Sequence, residues 1–523
     1  RDVGGGASTI VSIISPSQSL STAMAPAQRR NNKTSNSSSS GRIRISLSLT
    51  CLLVTAFSIS LIGLVFQFIA VHRIGNRSND HINNAAAAAA SSLMRGATTQ
   101  NAPQQQNNKP PKKKPVIAYT VTITGCSEKN YSAKEATSLI TQGAAVLQHS
   151  IHLAHTTTSS KYDYQMYAII HPAATSCSVT PMKQLGYQVL VRNTPFHNSD
   201  IQTKFLRENI DGASCCGAKE FLKLYAYTLK EPIAVILDLD SLVLRPMDEL
   251  FDVMLMEDEN IGGDGQYDHH HDDARRKMVD QLPIHHRTMS SDGSNHKEDV
   301  SSSSLYNKRI DAFYTRDYNM INPGGEKYAG VQGGFLMLRP DEDVFAEYVD
   351  LVLQGNYIDG RGWGGKYGYF FGGAQVQGIC SYYFGELHPE KGVELNRCRV
   401  NQMVDAPRFD VKMKEKRYRD ARGKCRDGRE QCEDCRETDV KDIWSVHFTL
   451  CGKPWFCNSN LQPLCSKLHS EWFRIRRSYE ESRSDDNGNE LRSLPKLEGS
   501  YRPEIYHGYC TGGGERGYLP LKI

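Results

Sequence analysis

Neither sign of charge dominates the chain: 62 Lys and Arg stand against 58 Asp and Glu, a formal net charge of +4 over 523 residues. That near balance lacks the basic footprint of a nucleic-acid-binding protein, so nucleic acid is not expected as a partner. Charge is absent altogether from Ile45 to Val71, a run of 27 residues. An α-helix needs about 20 apolar residues to cross a bilayer, whereas a signal-peptide core takes roughly 7–15. The run therefore predicts a transmembrane anchor. Periodicity is missing from the Ser-, Asn- and Ala-rich residues 1–44, which read as a disordered tail. It is missing again from 264–310, which reads as a disordered insertion. Within that insertion, Asp268-His269-His270-His271-Asp272-Asp273 and His285-His286 invite a metal reading. Their Ser-, Asp- and Lys-rich surroundings reduce it to adventitious affinity.

The flanks of the apolar run set its direction. Arg29, Arg30, Lys33, Arg42 and Arg44 precede it, and His72, Arg73 and Arg77 follow. This bias predicts a cytoplasmic tail and a lumenal remainder, a single-pass type II arrangement. Residues 72–115, with their alanine run and Lys109-Pro110-Pro111-Lys112-Lys113-Lys114-Pro115, read as a stem. The folded part is expected at 116–523, with a cysteine-rich end at 425–523. Every cysteine except Cys51 follows the span. The late cluster Cys425, Cys432, Cys435, Cys451, Cys457, Cys465 and Cys510 predicts disulfides in an oxidising compartment. The spacing of Cys432 and Cys435 also suits half a zinc site. Asn76-Arg-Ser and Asn130-Tyr-Ser are acceptable glycan sequons if that part of the chain is lumenal.

From Val116 onward, apolar β-branched runs alternate with helical periods. Val116–Thr124, Tyr162–His171 and Tyr187–Val191 read as strands, and about 131–152 and 219–229 as helices. This order predicts an α/β fold with parallel strands and a ligand site beyond their carboxyl ends. The decisive stretch is Val235-Ile236-Leu237-Asp238-Leu239-Asp240. A buried-looking strand ends in two carboxylates that an extended backbone would turn to one side. Burying both is costly unless a cation lies between them. Oxygen donors favour a hard divalent ion, Mn²⁺ or Mg²⁺. Any Asp-x-Asp taken alone is more often a turn cap.

Asp238-Leu239-Asp240 together with Val243-Leu-Arg-Pro-Met-Asp-Glu-Leu-Phe251 resembles the metal segment of glycosyltransferase family 8, the glycogenin-like enzymes. Val446-His447-Phe448-Thr449-Leu450-Cys451-Gly452-Lys453-Pro454-Trp455 is similar to a second family segment. The resemblance implies a GT-A type, Rossmann-like mixed sheet flanked by helices. It implies His447 as the third metal ligand, with Lys453 and Gly452 at the diphosphate of a nucleotide-sugar donor. Thr122, Thr124 and Tyr131 match the family's nucleoside segment, and Lys223 its lysine-bearing helix. Val331-Gln332-Gly333-Gly334 and Ala374-Gln375-Val376-Gln377 match the sugar-facing segments, with Gln332 replacing an Asn and Val376 replacing an Asp.

The expected activity is a retaining transfer from a nucleotide sugar, a UDP-sugar above all, to a glycan, protein or lipid acceptor in the Golgi or ER lumen. No carboxylate nucleophile stands out, so a front-face reaction is the milder assumption. A catalytically inactive sugar-binding or complex-forming subunit is the first alternative, and a metal-dependent phosphohydrolase the second.

Overall fold

The computed structural model describes residues 113–126, 133–212, 216–260, 277–285, 309–409, 423–483 and 499–521. The tail at 1–44, the anchor at 45–71, residues 72–112 of the stem, both sequons and Tyr131 lie outside the described residues. Among the described residues no helix is long and apolar enough to cross a membrane.

A seven-stranded mixed sheet organises the chain. In sequence order its strands are β1 (Val116–Ile123), β2 (Asp163–Ile170), β3 (Gln188–Val191), β4 (Ile233–Leu237), β6 (Ala312–Arg316), β7 (Val331–Leu338) and β10 (Gly392–Glu394). Their spatial order is β10-β6-β7-β4-β1-β2-β3. The half β4-β1-β2-β3 is parallel. β7 runs antiparallel to both β4 and β6. β-branched and aromatic residues fill these strands because a sheet covered on both faces buries nearly every side chain.

Alternation along the strands divides the core in two. Ile117, Tyr119, Val121, Val235, Leu237 and Met337 face one apolar cluster. Ala118, Ala234, Ile236, Leu336 and Leu338 face the other. The first face is covered by helices α1 (Ala133–Thr156), α3 (Asp248–Asn260) and α6 (Pro463–Glu481); α2 (Thr175–Gln184) packs against α1. The second is covered by the segment Gly217–Thr228, α4 (Glu342–Gln354) and α5 (Val376–Tyr382). Gly217–Thr228 winds as a 3₁₀ helix rather than the α-helix its sequence predicts. The tighter winding buries residues on several sides at once, among them Glu220, Phe221, Lys223, Leu224 and Ala226.

Part of the expected insertion is folded. Residues 277–281 are helical, Val279 and Leu282 enter the core, and Ile284 bridges Leu395. His285 is buried, with its N–H donated to the Glu394 carbonyl at 2.9 Å, and so belongs to the packing of this segment. Apolar residues spaced too sparsely to show a period were enough to dock it. His269–His271 and His286 lie outside the described residues.

Ten cysteines form five disulfides: Cys126–Cys177, Cys398–Cys435, Cys425–Cys432, Cys451–Cys465 and Cys457–Cys510. Cys432 and Cys435 are joined to different partners, which removes the half-zinc-site reading.

Candidate metal centre

β4 ends at Leu237, and Asp238 follows it as irregular backbone. Leu239 and Asp240 form a turn into the short strand β5 (Ser241–Val243). The two carboxylates therefore converge through this turn, not through the strand alternation their spacing suggests. Helix α1 holds the turn from below. A Cβ added at Gly143 would lie 2.6 Å from the Leu239 carbonyl oxygen, so only glycine lets the helix approach so closely.

The third member arrives from a distant part of the chain. Strand β11 (Ser445–His447) pairs antiparallel with β5, in the register His447 opposite Ser241 and Ser445 opposite Val243. The next residue continues the contact, since Phe448 donates its N–H to the Asp240 carbonyl at 2.9 Å. Gln402 clips the other side of β11. Its backbone accepts from His447 at 3.0 Å, and its side-chain amide donates to the carbonyls of Cys398 and Cys435. Gly334 on β7 makes room for the imidazole, because a Cβ there would lie 2.4 Å from His447 Cε1.

Asp238, Asp240 and His447 are buried, and each offers a ligand atom within 4.8 Å of the others. His447 Nε2 lies 3.6 Å from Asp238 Oδ2 and 3.4 Å from Asp240 Oδ2. Ligands on an octahedral ion at about 2.1 Å sit roughly 3.0 Å apart when adjacent and 4.2 Å when opposite. The observed spacings fall between those limits. Asp240 Oδ1 and both ring nitrogens of His447 are buried without hydrogen-bond partners among the described residues. Buried polar atoms left open in this way cost free energy unless something binds them. Two carboxylates and an imidazole together suit Mn²⁺ or Mg²⁺, so the residues fit a divalent ion.

Two lysines divide the electrostatics between the acids. Lys223 Nζ lies 2.6 Å from Glu220 Oε1 and 2.9 Å from Asp238 Oδ1, and donates to the Gly333 carbonyl at 2.8 Å. Two carboxylates in ion-pair contact and one hydrogen-bonded carbonyl surround the ammonium. Lys223 is thus committed to holding Asp238 and strand β7 in place, rather than open toward a diphosphate. Burial alone would lower its pKa, and Asp238 with Glu220 outweighs that and lifts it. Lys453 Nζ contacts Asp240 Oδ2 directly. Burial pushes Asp238 up despite Lys223 and His447. Burial also opposes ionisation of Asp240, but Lys453 and His447 hold it well below the usual carboxylate range. Unequal neighbouring charge, Lys453 on Asp240 above all, thus separates two equally buried side chains of the same chemistry.

The Lys453 loop is tethered on both sides. Cys451 is bonded to Cys465 on α6 and Cys457 to Cys510. Gly452 turns with φ +72°, where an added Cβ would lie 2.3 Å from Asn458 Nδ2. Its carbonyl lies 3.1 Å from His469 Nε2. Gly452 therefore acts as a backbone turn that aims Lys453.

On the side of β7, Gln332 is buried and accepts from the Gly334 N–H. Gln377 accepts from the Gly333 N–H at 3.3 Å and donates to the Phe371 carbonyl at 2.9 Å. Val376 packs in the apolar core, where a carboxylate would be stranded. Asp317, which the sequence reading did not single out, lies beside Gln332 at the end of β6. Burial and then the charge of Asp405 push it up to about 6. The available signal was an acid directly after a buried strand, the same signal that marks Asp238. Thr122 and Thr124 are buried at the end of β1. Two steps beyond the registered pair Thr120–Ile236 brings Thr122 level with Asp238.

No known protein family's sequence model matches the chain, and no curated protein matches it. Several solved structures are similar. Mouse xyloside xylosyltransferase 1 in its apo form has a TM-score of 0.30 at 12% identity, covering 55% of this chain and 87% of its own. The galactosyltransferase LgtC, in complex with donor and acceptor sugar analogs, has 0.33 at 11%, covering 69% and 95%. The glycosyltransferase GlyE of Streptococcus pneumoniae TIGR4 has 0.31 at 10%, covering 69% and 60%. These likenesses are faint in both score and identity.

Proposed function

We propose that this chain is a metal-dependent glycosyltransferase of the GT-A type. It would move a sugar, with retention, from a nucleotide sugar to a glycan, protein or lipid acceptor. The carrying observation is the convergence of Asp238, Asp240 and His447, with Lys453 on Asp240, where β4 ends beside the carboxyl end of the parallel strand β1. That is where open α/β sheets bind their ligands. Asp238, Asp240 and His447 would hold Mn²⁺ or Mg²⁺. The ion would supply Lewis-acid neutralisation of the leaving diphosphate.

The protein's own groups supply the rest. Lys453 is a second positive charge, delivered by a disulfide-tethered loop so that little reorganisation is needed when charge develops. Lys223 fixes Asp238 and so acts as a positioning residue. Thr122 and Thr124, with Tyr131, seat the nucleoside. Gln332 and Gln377 shape the sugar side, and Asp317 supplies a carboxylate there in place of the one Val376 excludes. In the front-face reaction, the acceptor oxygen bonds to the anomeric carbon as the bond to the diphosphate oxygen breaks. The acceptor proton passes to that departing oxygen. UDP is the nucleotide we assign, by the family resemblance. The five disulfides support a lumenal site, with 45–71 as a type II anchor in a Golgi or ER membrane.

The test is to express the full chain in an oxidising host and screen nucleotide sugars with Mn²⁺. Nucleoside diphosphate release from one donor, abolished by chelator and by Asp240→Ala, supports the reading. Binding of nucleoside diphosphate with Mn²⁺ but no turnover on any donor would favour a non-catalytic subunit.

A further inference from the structure

Among the described residues three large apolar side chains are strongly exposed: Tyr369 at 69%, Ile358 at 47% and Val191 at 42%. Two of the three lie on one loop, the glycine- and aromatic-rich stretch from strand β8 (Tyr357–Ile358) through β9 (Gly362–Trp363) to α5. This loop is fixed rather than slack. Trp363 and Tyr367 are buried in the core, and their backbones form a bridge. A Cβ on Gly362 would lie 2.2 Å from the Gly368 nitrogen, and one on Gly330 would lie 2.6 Å from the Phe370 ring. The backbone and its buried rings are thus interlocked, while Tyr369 has no ring contact or hydrogen bond among the described residues. A rigid loop that raises one tyrosine into solvent spends apolar surface for no gain in folding.

The loop is also continuous with the proposed sugar site. Phe371, two residues on, accepts from Gln377, and Gln377 in turn accepts from Gly333 beside Gln332. Two residues span at most about 7 Å. The charges around the loop cancel, with Arg361 and Lys366 against Asp359 and Glu386, the last paired with Lys366 at 2.6 Å. A neutral ligand with an apolar face suits this surface better than an anionic one.

We infer that Tyr369, on the same loop as Ile358, is a stacking platform for a pyranose ring of a saccharide acceptor, outside the ring that reacts. The inference rests on the glycosyltransferase reading and narrows its acceptor to a glycan. Stacking one face of a ring on a preorganised tyrosine costs little ordering entropy.

The test uses the full chain with two probes: UDP plus Mn²⁺ in solution, and an immobilised panel of neutral oligosaccharides covering β-glucan, xylan, mannan and N-acetyllactosamine fragments. The expected result is binding to at least one saccharide class. Tyr369→Ala should weaken it about tenfold or more, and Tyr369→Trp should retain it. UDP affinity and melting temperature should not change in either variant. Undiminished saccharide binding by Tyr369→Ala would overturn the platform. So would UDP binding by the wild-type chain with no saccharide bound, which leaves the donor reading standing. Failure to bind UDP with Mn²⁺ would overturn the donor reading and the platform with it.

Discussion

Replacing Gly334 by alanine is the sharpest steric perturbation of the metal centre. The added Cβ would lie 2.4 Å from His447 Cε1, 2.6 Å from Nδ1 and 2.9 Å from Gln332 Oε1. Non-bonded carbon contacts settle at about 3.5–4.0 Å, so the ring or the strand must move by about 1 Å. β7 is held by ladders to β4 on one side and β6 on the other, and so the ring yields. Metal–donor distances tolerate about 0.2 Å. A displaced imidazole is therefore lost as a ligand, although Asp238 and Asp240 remain. Mn²⁺ affinity should fall by at least ~10–100-fold, the range seen when groups that orient ligands are removed. Overpacking should cost about 1–3 kcal/mol of stability. Calorimetric titration with Mn²⁺, beside a thermal melt, reads both effects. Gly212→Ala is the control, since nothing lies within 4 Å of its added Cβ. A Gly334→Ala protein that binds Mn²⁺ as tightly as wild type would refute the placement of His447.

Lys223→Met should destabilise the fold by about 3–5 kcal/mol, because it strands the buried carboxylates of Glu220 and Asp238; a denaturant titration with an unchanged midpoint would contradict this. Cys457→Ser with Cys510→Ser opens a 53-residue loop, which the chain-entropy model values at about 4 kcal/mol. It should also lower turnover by loosening Lys453, and full activity in the double variant would show that the tether is dispensable. Burial lowers His469 from 6.5 to about 4, so the folded state holds it neutral while the unfolded state protonates. Its stabilisation is complete above pH 6.5 and is lost as pH falls toward 4, by roughly 3 kcal/mol. Melts in chelator from pH 7.5 to 4 should lose that dependence in a His469→Gln protein that still folds.

The sheet was largely legible because fully buried strands leave continuous apolar runs. Ile233–Leu237 is wholly of this kind and Val116–Ile123 nearly so, whereas Val331–Leu338 opens on Val-Gln-Gly-Gly and is apolar only from Phe335 onward. Asp238, Asp240 and His447 were legible as a set only through family-like spacing. Nothing local announces that Ser445–His447 pairs with Ser241–Val243, because a strand of three residues carries no period. The role of Lys223 was hidden for a related reason. A lysine on a short apolar segment reads as a charge available to a ligand until its partners, Glu220, Asp238 and the Gly333 carbonyl, are seen around it. Gly143 and Gly334 were visible as glycines, but the chain they make room for is fixed by packing between distant elements. Disulfide partners were equally out of reach, since seven late cysteines permit many pairings.

The central claim is that Asp238, Asp240 and His447 bind one divalent ion. Crystals soaked in Mn²⁺ and UDP, measured at the manganese absorption edge, test it directly. The account predicts one strong anomalous peak within about 2.3 Å of Asp238, Asp240 and His447, absent in Asp240→Ala. A protein that binds UDP with no anomalous peak among these three residues would contradict it.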